Sequence, residues 1–108
     1  PRILAEAVLA QAKPLLEYSQ QIHRQAASMN TGPSREAMDK SQAAIRAYEA
    51  LNHVAAGALR SEQVPSLYNV ETLLKYYCTV TEETQLVRRH AQKHNLIVPA
   101  VKNASGKN

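Results

Sequence analysis

The chain has 108 residues, which is enough for one domain with one hydrophobic core and too few for two independent folds. It contains no Phe and no Trp, so the core must be built from Leu, Ile, Val, Tyr and Ala, and such a core is thin. The formal net charge is +4. No apolar run approaches the roughly 20 residues that a membrane-spanning helix needs, so we expect no membrane partner.

The single cysteine, Cys78, excludes an internal disulfide and fits a reducing compartment. We therefore expect an intracellular protein, either cytoplasmic or nuclear. The chain begins at Pro1, which fits a trimmed full-length protein and an excised domain equally well.

The first predicted helix runs from Ile3 to about Met29. Apolar residues spaced three and four apart predict one buried stripe: Leu4, Val8, Gln11, Leu15, Tyr18, Ile22, Gln25 and Met29. Because two of these positions are Gln, the buried face is alternatively rotated toward Leu9, Ala12, Leu16 and Ala26. Pro14 lies inside the stripe and removes a backbone hydrogen bond, which predicts a kink near Ala10 or a split into two shorter helices.

A second helix is predicted from about Pro33 to Leu59, after a break that contains Gly32 and Pro33. Its stripe consists of Met38, Ser41, Ile45, Tyr48, Asn52, Ala55 and Leu59. The third helix is predicted from Asn69 to about Asn95, and its stripe is the most regular of the three: Val70, Leu73, Tyr77, Val80, Thr84, Val87, Ala91 and His94.

These elements predict an all-α fold, an antiparallel bundle of three long helices joined by short connections. If Pro14 splits the first helix, the count becomes four. We assign residues 1–95 to the helical bundle and residues 96–108 to an extended, disordered, basic tail. The apolar start of that tail, from Leu96 to Val101, could also pack back on the bundle.

Few residues are arranged for chemistry. His90 and His94 lie four apart on one helix and could face one metal ion, but no Glu stands beside His90 as a base. Cys78 lies on the flank of a buried stripe, where a small apolar side chain packs well. Glu82 and Glu83 are neighbours and point about 100° apart on a helix. We therefore predict no metal site, no cofactor, no catalytic residue and no enzymatic activity.

The function that we expect is binding of a partner protein, or of a second copy of the chain, through an apolar helical face. The candidate partner-binding residues are Leu51, Val54, Leu74, Tyr76 and Cys78, with Tyr76 expected to face outward. The competing interpretation is that the faces around Leu51 and Leu74 only widen the core-facing stripes of their helices.

The charge is unevenly distributed and suggests an alternative function. From Thr84 to the end there are five basic residues and no acid, whereas the preceding residues carry eight bases and nine acids. Arg88, Arg89 and Lys93 are therefore candidates for binding nucleic acid or an acidic protein surface. Bases near the C-terminus of a helix are also what the helix dipole favours, so this signal has a purely structural explanation as well.

Overall fold

The computed structural model describes residues 2–29, 32–60, 67–93 and 96. They form three helices, α1 (Arg2–Met29), α2 (Gly32–Arg60) and α3 (Leu67–Lys93), and the described part of the chain contains no strand. The end of α1 packs with the beginning of α2 and the end of α3, so neighbouring helices run in opposite directions. The predicted all-α antiparallel bundle of three long helices is confirmed.

The first helix is unbroken across Pro14, so the described residues form three helices and the split at Pro14 is absent. Pro14 is half-buried, and its neighbours Lys13 and Leu15 remain helical. The apolar contacts on both sides of Pro14 hold the helix together where its backbone lacks one hydrogen bond.

The buried face of each helix alternates steps of three and four residues over its whole length. The core-facing positions are Ala5, Val8, Ala12, Leu15, Ser19, Ile22 and Ala26 in α1; Ser34, Ala37, Ser41, Ala44, Tyr48, Leu51 and Ala55 in α2; and Val70, Leu73, Tyr77, Val80, Thr84, Val87 and Ala91 in α3. A repeat of seven sustained in this way is that of a left-handed coiled coil. This spacing keeps the buried stripe of each helix on one side along the length of the bundle.

The stripe predicted for α3 matches this face, although its last member, His94, lies outside the described residues. In α1 the buried face combines Val8, Tyr18 and Ile22 of the predicted stripe with Ala12 and Ala26 of the alternative. Leu9 and Leu16 of the alternative are half-buried, and Gln11 of the predicted stripe is exposed. In α2 the buried face includes Leu51 together with Ala37, Ala44 and Ala55, and Asn52 of the predicted stripe is exposed.

The core consists of two apolar clusters, one toward each end of the bundle. The upper cluster contains Tyr18, Ile22, Ala26, Ala37, Ala44, Val87, Ala91 and Leu96. The lower cluster contains Ala5, Val8, Ala12, Leu51, Ala55, Leu73 and Val80. Alanine and serine dominate the facing stripes of α1 and α2, which have the most extensive helix–helix contact in the bundle, because small side chains allow close approach.

Each helix also contributes a hydroxyl to the interior. Ser41 Oγ donates to the Met38 carbonyl oxygen at 3.0 Å, and Thr84 Oγ1 donates to the Val80 carbonyl oxygen at 2.7 Å. The Ser19 hydroxyl is fully buried and makes no hydrogen bond within the described part of the chain. Such a group raises the free energy of the folded state, because it has lost its water partners without replacement.

Leu96 belongs to the packed unit even though the sequence places it in the tail. Its side chain is 6% exposed and joins the upper cluster, and its N–H donates to the Ala91 carbonyl oxygen at 2.9 Å. A bond of this span, accompanied by an apolar contact, is a common way to satisfy the last carbonyls of a helix. The predicted tail from residue 97 onward lies outside the described residues and stays a prediction.

Candidate interaction surfaces

The candidate partner-binding residues lie at different depths. Leu51 is fully buried in the lower cluster, so it stabilises the fold and offers no accessible surface. Val54 and Tyr76 are half-buried and pack against the same cluster, so Tyr76 does not project freely outward as we expected. Leu74 is 43% exposed, and Cys78 is exposed.

The two accessible candidates share one side of α3. Leu74 and Cys78 are four residues apart, which places their side chains one turn from each other on the helix surface. We call this pair the α3 outer face. The other large apolar side chains that are strongly exposed in the described part of the chain are Ile3 and Met29, near opposite ends of α1. The α3 outer face is therefore an apolar patch in the middle of a helix, and it is small.

Basic side chains of all three helices converge on one end of the bundle. Because the helices are antiparallel, the last turns of α1, the first turns of α2 and the last turns of α3 meet there. We call this end, formed by residues 22–29, 32–40 and 87–93, the basic end. Its bases are Arg24, Arg35, Lys40, Arg88, Arg89 and Lys93, and its acids are Glu36 and Asp39. The three predicted bases of α3 are thus joined by three others that the sequence interpretation missed.

Arg88 is held against the core by Tyr18. The guanidinium carbon of Arg88 lies over the Tyr18 ring, 5.4 Å from its centroid, in a cation–π contact. The ring is 2% exposed, and burial raises the pKa of the Tyr18 hydroxyl above its usual 10.0, with the Arg88 charge opposing part of that rise. The Tyr18 hydroxyl has no hydrogen-bond partner within the described part of the chain, so we attribute the opposing effect to the charge of Arg88.

His90 ties the end of α3 to the beginning of α2. Its Nδ1 lies 2.9 Å from the Leu86 carbonyl oxygen, which can only accept, so Nδ1 carries a hydrogen. Its Nε2 lies 2.6 Å from Oε1 of Glu36 on α2. His90 is therefore engaged on both ring nitrogens, one within its own helix and one across to α2.

The contacts of His90 bear on whether His90 and His94 could face one metal ion. His94, the second member of the predicted pair, lies outside the described residues. Within the described ranges, no three side chains of His, Cys, Asp or Glu are close enough to hold a metal ion. None of the helices α1 to α3 is long and apolar enough to cross a membrane.

The fold and its surfaces define an antiparallel three-helix bundle with a small apolar face and a basic end. Comparison with known proteins adds no relative, since no protein-family model, no curated protein and no solved structure matches the chain.

Proposed function

We propose that this protein is a non-catalytic interaction module that binds a partner protein, or a second copy of itself, through the α3 outer face. The observation that carries the proposal is the 43% exposure of Leu74 beside the exposed Cys78, on a helix whose opposite side is fully engaged in the core. An apolar patch on the outside of a helix stabilises a complex when a partner covers it.

The composition of the core supports the same proposal. Seven of the fifteen buried apolar residues in the described part of the chain are alanine, and alanine buries less area than the larger apolar residues. A core of this kind contributes modest stability, so association with a partner would add to it by mass action. Within this proposal the bundle acts as an adaptor or regulator that presents its surface to the partner.

The experiment uses Cys78 as a built-in probe site, because it is the only cysteine of the chain and it is exposed. A photoreactive group attached to Cys78 is activated in lysate and in purified protein at several concentrations. The matched control carries Cys78→Ser and Gln21→Cys, which moves the probe to an exposed position on α1. We expect a defined crosslinked species from position 78 and none from position 21.

The crosslink from position 78 must also depend on the apolar side chain of Leu74. Leu74→Gln keeps a good helix former and removes the apolar side chain, and Lys75→Gln changes the neighbouring exposed residue. The crosslink should weaken with the first change and persist with the second, while circular dichroism shows an intact fold in both. Equal crosslinking from positions 78 and 21, or indifference to Leu74→Gln, would reject the proposal.

A second candidate function is binding of nucleic acid through the basic end, and the observation that favours it is the convergence of six basic side chains there. Phosphate groups are the partners that such a surface attracts most generally.

For either function we propose an intracellular location, cytoplasmic or nuclear, since an exposed thiol is compatible with a reducing compartment.

A further inference from the structure

We propose that the basic end binds the phosphate backbone of nucleic acid independently of sequence, and that residues of α1 and α2 take part together with those of α3. This inference rests on the second candidate function above and deepens it. It assigns the binding surface to three helices, where the sequence pattern indicated only one.

The first argument is the location of the charge. The basic end carries six basic and two acidic side chains, whereas the rest of α1 to α3 carries five basic and six acidic ones. The positive surplus of the described helices is therefore confined to this end. A localised surplus of four charges steers and holds a polyanion better than the same charge spread over the molecule.

The second argument is that the basic side chains are accessible to a ligand. Arg24, Arg35, Arg89 and Lys93 are exposed, and Lys40 and Arg88 are half-buried. Among the described residues none of these six side chains forms an ion pair, and five of them have no aromatic contact either; Arg88 alone lies over the Tyr18 ring. Four of the six are arginines, whose planar guanidinium groups can contact phosphate oxygens in a bidentate manner.

The third argument concerns the way in which a nucleic acid would be contacted. Recognition of the nucleobases requires either a helix that enters a groove of the duplex or exposed aromatic side chains on which the nucleobases stack. Tyr18 is the described tyrosine nearest the basic end, and its ring is buried beneath Arg88. The surface therefore offers charges to the backbone and no stacking platform within the described residues, which predicts recognition without sequence preference.

The fourth argument distinguishes nucleic acid from an acidic protein. A protein interface usually has an apolar centre, whereas nucleic-acid interfaces are polar and strongly positive. At the basic end Met29 is the single large apolar side chain that is strongly exposed among the described residues. The polar and basic side chains around it fit a phosphate backbone better than a folded protein surface.

The test is fluorescence anisotropy of labelled duplex and single-stranded oligonucleotides of unrelated sequences, titrated with the full chain from low to physiological salt. With up to six phosphates neutralised, log K should fall against log salt with a slope of about −3 to −5. Affinity should be the same for unrelated sequences of equal length. A poly-glutamate chain at equal charge should compete less well than unlabelled oligonucleotide.

Two double variants locate the surface. Arg24→Gln with Arg35→Gln removes two charges from the basic end, on α1 and α2. Lys13→Gln with Lys75→Gln removes two exposed charges from elsewhere and is the matched control. The first pair should weaken binding by about tenfold or more at low salt and reduce the salt slope by about two. The control pair should leave both nearly unchanged.

Each other outcome overturns the inference in a distinguishable way. If Arg89→Gln with Lys93→Gln abolishes binding while the Arg24 and Arg35 pair behaves like the control, nucleic-acid binding stands and the three-helix surface is wrong. If the unaltered chain does not bind even at low salt, nucleic-acid binding itself is wrong. If poly-glutamate competes as well as oligonucleotide, the surface is a general polyanion site and the assignment to nucleic acid fails.

Discussion

Replacing Ser19 with alanine should make the protein more stable. The Ser19 hydroxyl is 0% exposed and has no hydrogen-bond partner among the described residues. Leaving such a group unpaired in the interior costs about 1–3 kcal/mol. Alanine is also the better helix former, by up to about 0.5 kcal/mol. We therefore expect Ser19→Ala to raise the free energy of unfolding by about 1–3 kcal/mol, where most core substitutions lower it.

The assay is urea denaturation followed by circular dichroism, with thermal unfolding as a second measure. For a domain of this size each kcal/mol shifts the melting temperature by about 4–8 °C, so the increase should be easily measured. Ser41→Ala is the matched control, because Ser41 is equally buried but donates to the Met38 carbonyl oxygen. Its effect should be small, since the lost hydrogen bond and the gained helix propensity oppose each other.

The reasoning is refuted if Ser19→Ala is as stable as the unaltered chain or less stable. That result would mean that the Ser19 hydroxyl is satisfied and takes part in a hydrogen bond inside the bundle. An unchanged m-value is needed for the comparison, so that the difference reports on the folded state.

Three further predictions follow from the packing. Leu51→Ala should destabilise the protein by about 2–5 kcal/mol in urea denaturation, because Leu51 is fully buried, and a neutral effect would return it to the list of surface residues. Leu96→Ala should cost about 2 kcal/mol or more, since Leu96 packs in the upper cluster, and no loss of stability would place the end of the core before residue 96. Stability should fall as the pH rises above 10.0, because the pKa of Tyr18 is raised in the folded state and the unfolded chain loses that proton first. Tyr18→Phe should reduce this fall in pH-dependent unfolding measurements, and an identical pH profile would contradict the assignment.

The buried face of α3 could be predicted from the sequence because its members are large and apolar. Leu73, Val80 and Val87 follow each other at intervals of seven and are fully buried, so the three-and-four spacing has one interpretation. In α1 the pattern was ambiguous because alanines occur on both sides. Ala5, Ala12 and Ala26 are buried, and Ala7, Ala10 and Ala27 are exposed. Residues of one type on both faces leave the orientation of a helix to tertiary packing.

The basic end could be predicted only in part. Arg88, Arg89 and Lys93 follow from the charge asymmetry of the sequence, since they lie close together in the chain. Arg24 and Arg35 join them because an antiparallel bundle brings the end of α1 and the beginning of α2 to the same place. The predicted antiparallel topology already implied this meeting of helix ends. To use it, one must assign each charged residue a position along the bundle axis and compare the three helices at the same level.

The measurement that tests the central claim most directly is the yield of the crosslink from a photoreactive group on Cys78, compared between the unaltered chain and Leu74→Gln. Leu74 and Cys78 are one turn apart on the outside of α3, so a partner that covers one must lie against the other. The account predicts a defined crosslinked species whose yield falls several-fold when Leu74 is replaced, with the bundle still folded. An unchanged yield, or no species specific to position 78, would contradict it.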